Sequence, residues 1–233
     1  MRLLVTRPEE DARPLIARLE VLGHEAEAMP LLHIVPKPDA EIPDGNWQAV
    51  IATSANALKL GDRLDLLKFL PLLCVGPQTA AFARSQGFVF ATAQGGDVQG
   101  LSRHILKTLS PASGPLLYLS GAETAGDLAG VLKKQGFSLT RVITYDAEPL
   151  GLAGAEDRVR WAEGVLLYSP RTARVWVNEV EAQGLTAHAA TRSHFCISAN
   201  VAAGLPAGWP RAVAEAPNEG AMLELLEPPE AKG

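Results

Sequence analysis

Short apolar runs recur along the chain at Leu3–Thr6, Val50–Thr53, Leu72–Val75, Leu116–Leu119, Arg141–Tyr145, Val165–Tyr168 and Phe195–Ser198. Each is four or five residues long, almost continuously apolar and bounded by polar or turn residues. A strand covered on both faces has this pattern. Helical periodicity follows most of the runs. After the first, Ala12, Leu15, Ile16, Leu19 and Leu22 share one helical face. Pro8 suits the first helical position, Glu9, Glu10 and Asp11 favour a helix N-terminus, and Gly23 supplies the stop. The alternation predicts an α/β fold with mostly parallel sheets flanked by helices.

The pattern repeats. LLVTRPEEDARPLIARLEVLGHEAEAMPLLHIVP, from Leu3, aligns without a gap on LLYLSGAETAGDLAGVLKKQGFSLTRVITYDAEP, from Leu116. The identities include Leu3/Leu116, Leu15/Leu128, Leu19/Leu132, Gly23/Gly136 and Pro36/Pro149. Further pairs follow in the same order: AVIATSANAL with GVLLYSPRTA, LCVGPQTAA with FCISANVAA, and GDVQGLSRHIL with APNEGAMLELL. Collinear matches of this kind predict two similar α/β lobes. The extended, proline-containing stretches IVPKPDAEIP and AEPLGLAG can each carry the chain from one lobe to the other. Two crossings allow a discontinuous first domain, and two consecutive domains fit equally well.

Composition narrows the class. The 233 residues are 47% hydrophobic and 20% charged, enough for two buried cores. A net charge of −5 argues against a general nucleic-acid or anionic-membrane binder. No apolar stretch approaches a membrane span, and the start turns polar after MRLLV, which argues against a signal peptide. The two cysteines, Cys74 and Cys196, show neither CxxC nor zinc spacing and occupy matched strand positions, as small buried residues do. His24, His33, His104, His188 and His194 are scattered without metal or triad spacing, so structural or surface roles are expected. These features point to a soluble protein of a reducing, cytoplasmic compartment without a structural metal. The tail from Glu227, EPPEAKG, is expected to fray.

The strand ends carry the candidate chemistry. Thr6-Arg7-Pro8, Thr53-Ser54-Ala55-Asn56, Gly76-Pro77-Gln78-Thr79, Ser120-Gly121, Tyr168-Ser169-Pro170-Arg171 and Ser198-Ala199-Asn200 are rich in hydroxyls, amides and arginine. Such turns attract anions through unpaired backbone N–H groups, and side-chain donors add to them. Helix capping explains Ser, Thr and Asn at these positions equally well. Ser120 with Glu123 fits a capping box. There is no GxGxxG after a strand, no GxxxxGK[ST] loop and no GxSxG elbow, which disfavours dinucleotide, P-loop and serine-hydrolase chemistry.

Taken in order, LLVTRPEEDARPLIARLEVLGHEAEAMPLL, IATSANAL, CVGPQTAAFARSQGF, GVLLYSPRTA and AEAPNEGAMLELL resemble the uroporphyrinogen-III synthase family over nearly the whole chain. The resemblance implies two lobes joined by two extended linker segments, the first discontinuous over residues 1–36 and 150–233 and the second over 37–149. It implies an enzyme that closes hydroxymethylbilane, a linear tetrapyrrole with eight carboxylates, with loss of water and inversion of the terminal ring. It also implies no cofactor, a small-molecule tetrapyrrole as the one partner, and a monomer. Tyr168 matches the family's strand-end tyrosine and becomes the candidate catalytic residue. Arg7, Thr53, Ser54, Asn56, Thr79, Ser169, Arg171 and Asn218 become candidate substrate-binding residues. The family commonly has Thr where this chain has Asn218, so an amide replaces a hydroxyl there. A non-catalytic two-lobed module that binds small anions is the competing reading.

Overall fold

Strands form where the apolar runs stand. In the computed structural model, which describes residues 1–124 and 126–226, the chain begins β1 (Arg2–Val5), α1 (Glu9–Val21), β2 (Glu25–Ala28), β3 (Leu32–Pro36) and β4 (Ala49–Ala52). It continues β5 (Pro71–Cys74), α2 (Pro77–Ser85), β6 (Phe90–Ala93), α3 (Val98–Thr108), β7 (Leu116–Gly121), α4 (Leu128–Lys134) and β8 (Leu139–Pro149). Then follow α5 (Glu156–Trp161), β9 (Gly164–Leu167), α6 (Pro170–Ala182), α7 (Thr186–Ala189), β10 (Ser193–Cys196), α8 (Ala199–Ala202), β11 (Arg211–Val213) and α9 (Glu219–Glu224). The tail expected to fray lies outside the described residues.

The chain divides into two compact units. Met1–His33 and the chain from Glu148 form the first, and Ile34–Ala147 the second. The chain passes between them within β3 and again within β8. Unit 1 holds a sheet in the order β11-β10-β9-β1-β2, with every neighbouring pair parallel. Unit 2 holds the order β3-β8-β7-β4-β5-β6, and its pairs from β8 to β6 are all parallel. The internal repeat maps one sheet onto the other: β1 on β7, β2 on β8, β9 on β4, β10 on β5 and β11 on β6. Unit 1 is thus an open sheet of strand order 2-1-3-4-5, and unit 2 is the same order with the chain entering at a different strand.

Apolar cores on both faces explain the unbroken apolar runs. In unit 1, Leu4, Val165, Leu167 and Cys196 pack on one face with Trp176, while Leu3, Val5, Leu166 and Phe195 pack on the other with Leu15 and Met222. Unit 2 divides likewise, with Val50, Leu72, Leu117 and Leu119 on one side and Ile51, Leu73, Leu116 and Tyr118 on the other. In α1, Ala12, Leu15 and Leu19 are buried as the periodicity predicts, but Leu22 falls past the helix end and is exposed, and Pro8 sits at the cap position rather than inside the helix. Gly23 ends α1 at φ +81°, a conformation that favours glycine. Cys74 and Cys196 are both buried, and burial pushes each thiol up to about 11, which makes them unreactive core residues.

One histidine is structural. His194, in β10, is fully buried. The Trp176 indole N–H donates to its Nε2 at 3.0 Å, so its own proton sits on Nδ1, 3.0 Å from the Pro210 carbonyl. Its ring stacks on Trp209 with centroids 5.0 Å apart. Burial holds its pKa below the ordinary 6.5 despite the opposing backbone hydrogen bonds. The unfolded chain therefore binds this proton more readily than the fold does. The stability His194 contributes is full above pH 6.5 and is lost as pH falls through the lower folded value. Thermal unfolding midpoints followed from pH 7 to pH 5 should drop less steeply in His194→Gln than in the wild type, and equal slopes would refute this.

Candidate active site

In an open α/β sheet, ligands bind beyond the carboxyl ends of the strands where the strand order reverses, because adjacent loops part there. In unit 1 that reversal lies between β1 and β9. Arg7 follows β1 and Tyr168 follows β9 directly. The Thr6 hydroxyl, buried, donates to the Leu166 carbonyl at 2.6 Å and pins the two strand ends together.

The structure brings Arg7 and Tyr168 into contact. The guanidinium carbon lies 5.0 Å from the centroid of the phenol ring, within cation–π range. Arg7 Nη1 also donates to Glu219 Oε2 at 2.9 Å, and Nη2 lies 3.7 Å from Asp11 Oδ2. The second Glu219 oxygen, Oε1, pairs with Arg18. The Tyr168 hydroxyl is buried with no hydrogen-bond partner among the described residues. Burial is the main reason its pKa lies far above the ordinary value; Arg7 and Arg18 act against the shift and the Glu219 carboxylate adds to it. At neutral pH this group is a phenol, able to donate a proton and unable to accept one.

The remaining unit 1 candidates stand at the starts of α6 and α9. Ser169 caps α6, its Oγ accepting from the Thr172 amide at 3.0 Å and lying 2.7 Å from Thr172 Oγ1. Arg171 is half-buried in the first turn of the same helix. Asn218 caps α9 through Oδ1, which accepts from the Ala221 amide at 2.9 Å. Capping leaves the Asn218 amide group free to donate, so an amide can both cap and bind here as a hydroxyl would.

Unit 2 places its candidates at the equivalent reversal, between β7 and β4. Thr53 Oγ1 lies 3.2 Å from the Tyr118 hydroxyl. Ser54 caps a short 3₁₀ turn, Ala55–Leu58, by accepting from the Asn56 amide at 3.2 Å. Thr79 is buried in the first turn of α2, which follows the neighbouring strand β5. The Ser120–Glu123 capping box does not form. Ser120 lies inside β7, donates to the Gly121 carbonyl and accepts from Arg141 Nε at 2.7 Å, while α4 is capped by Asp127. β7 runs on through Gly121, past the point where the capping box predicts a helix start, with a register shift between Ser120 and Gly121.

Two participants are not legible in the sequence, Glu219 and Tyr118. Glu219 reads as an ordinary acidic residue in a helix's first turn, and Tyr118 as a core position in an apolar run. Among the described residues, no group of three or more His, Cys, Asp or Glu is placed to hold a metal, and no helix is long and apolar enough to cross a membrane.

The family model described as uroporphyrinogen-III synthase HemD matches residues 13–224. The chain belongs to the uroporphyrinogen-III synthase family. It is accordingly a cyclising lyase of tetrapyrrole biosynthesis, closing hydroxymethylbilane with water loss and inversion of the terminal ring. The fold agrees. Uroporphyrinogen-III synthetase from Helicobacter pylori superposes with a TM-score of 0.68 at 18% identity, over 97% of this chain and 98% of that one. A mutant uroporphyrinogen III synthase from the extremely thermophilic bacterium Thermus thermophilus superposes with a TM-score of 0.57 at 14% identity, over 97% of each chain. No curated protein matches the chain significantly in sequence.

Proposed function

We propose that Tyr168 is the acid that drives the water-losing step of this synthase, and that the strand-end donors hold the substrate's carboxylates. The observation that carries the reading is the buried Tyr168 hydroxyl, without a hydrogen-bond partner among the described residues, at the strand-order reversal of unit 1 beneath Arg7. The hydroxymethyl C–O bond breaks as the pyrrole nitrogen pushes its electron pair toward the ring carbon. The Tyr168 proton goes to the departing oxygen, which leaves as water, and an azafulvenium cation remains with its N–H intact while Tyr168 becomes the phenolate. The terminal pyrrole attacks it through its substituted carbon and gives a spiro intermediate. That intermediate fragments and recloses at the neighbouring carbon. The proton lost as the last ring regains aromaticity restores the phenol.

Selection among closures is the harder task, because the bilane also closes unaided without inversion. Holding it in one folded shape is an orientation effect. Arg7 supplies a fixed positive charge for an acetate or propionate. Ser54 accepts a capping bond but keeps its own hydroxyl proton, Asn218 keeps its amide donors, and Ser169 and Thr172 share one hydroxyl–hydroxyl bond that leaves a single proton of the pair to donate. Arg171 is a further candidate donor of unit 1, and Thr53, Asn56 and Thr79 are candidate carboxylate donors at the strand ends of unit 2. On this reading the enzyme works as a monomer in the cytoplasm, where a reducing compartment suits its two buried thiols.

The test mixes the pure protein with enzymatically generated hydroxymethylbilane and separates the product isomers. Isomer III above the spontaneous isomer I background is the expected result. Isomer I alone would overturn the reading in favour of an anion-binding module.

A further inference from the structure

We propose that Glu219 is a positioning residue for this reaction: it occupies Arg7 as a stand-in carboxylate, holds it over the Tyr168 ring, and gives it up to a carboxylate of the tetrapyrrole. The inference rests on the proposed placement of the substrate at the unit 1 strand ends.

Three observations carry it. The first is the division of labour within one carboxylate. Oε2 takes Arg7 and Oε1 takes Arg18. When a substrate carboxylate takes Arg7, Glu219 stays paired with Arg18 and no anion is stranded, which keeps the exchange inexpensive. The second is burial. The Arg7 and Glu219 side chains are 16% and 19% exposed, whereas Arg18 is 53% exposed. The pair facing Tyr168 is sheltered, and the anchor that retains Glu219 stands in solvent. The third is chemical likeness. The substrate offers eight alkyl carboxylates, and Glu219 presents the same group to the same guanidinium. Glu219 also offsets the pull of Arg7 on the Tyr168 phenol, favouring its protonated form.

Competition of this kind gives two neighbouring substitutions opposite signs. Glu219→Gln removes the competing charge but keeps a hydrogen-bond acceptor for Arg7. KM for hydroxymethylbilane should fall about threefold to fivefold, the scale of one partly exposed ion pair. Arg18→Gln leaves Glu219 to Arg7 alone, and KM should rise by a similar factor. A merely structural role would weaken binding in both variants and lower thermal stability in parallel. In an Arg7→Ala background, Glu219→Gln should have no effect on KM.

Equilibrium binding of the product-like octacarboxylate uroporphyrin III, followed by fluorescence quenching, provides a readout that needs no turnover. Affinity should rise in Glu219→Gln and fall in Arg18→Gln. Unchanged or weakened uroporphyrin binding in a folded Glu219→Gln protein would overturn the proposal. If the wild type formed no isomer III, the proposed function would fall, while the opposite signs in uroporphyrin affinity would still decide whether Glu219 competes for Arg7.

Discussion

Replacing Tyr168 with phenylalanine should lower kcat for isomer III formation by about a hundredfold, the lower range of what a positioned general acid supplies. The substitution removes one oxygen. It leaves the ring beneath Arg7, so the cation–π contact at 5.0 Å and the packing of the β9 end persist. The hydroxyl has no hydrogen-bond partner among the described residues, so its removal strands no buried donor or acceptor. Thermal stability should therefore stay unchanged or rise slightly while turnover collapses. KM should change little, because Arg7 and the other carboxylate donors remain. The residual product should shift toward isomer I, since the slowed step lets spontaneous closure compete. Unchanged kcat at saturating bilane would remove Tyr168 from the chemistry. A fall in kcat with an equal fall in stability would show a packing role instead.

Tyr168 is named through the family resemblance of GVLLYSPRTA, while its surroundings come from residues far along the chain. All seven apolar runs became strands because residues on two covered faces must be apolar whatever their partners are. The strands the sequence did not announce, β2, β3, β6 and β11, are the edge strands of the two sheets. An edge strand has one neighbour and half its covering, and EAEA and FATA show it: exposed residues recur in both. Tyr168 stands at the end of an interior strand, where the pattern is strongest. Its electrostatic setting comes from Glu219, which meets Arg7 across 212 residues of sequence. No local spacing encodes such a pair. The same holds for the Thr53–Tyr118 contact, in which a turn hydroxyl finds the polar tip of a core aromatic residue. Ser120 shows the reverse error. Its spacing to Glu123 fits a cap, but a strand that runs longer than its apolar run claimed the serine first. The repeat is the most informative signal, since it links strand orders that no single segment reveals.

Replacing Trp176 with alanine should destabilise unit 1 by about 4 kcal/mol, among the larger losses that a single core truncation causes. Trp176 is fully buried in α6 and packs in the core beneath β1, β9 and β10. Its removal leaves a cavity and also deprives His194 Nε2 of the indole donor at 3.0 Å. Trp176→Phe separates the two losses. It keeps most of the ring volume and still leaves the imidazole nitrogen unpaired, a cost of about 2 kcal/mol. Urea titrations of the three proteins should rank their midpoints wild type, Phe variant, Ala variant, and equal midpoints would refute the core role. The Phe variant should also respond less to acid. In the wild type, protonating Nε2 sets its new N–H against the indole N–H, and this conflict adds to burial in resisting the charge. Without the indole that conflict is gone, and only burial and the Arg211 charge oppose protonation. The loss of stability between pH 7 and pH 5 should therefore be shallower in Trp176→Phe than in the wild type, even though the variant begins from a lower value.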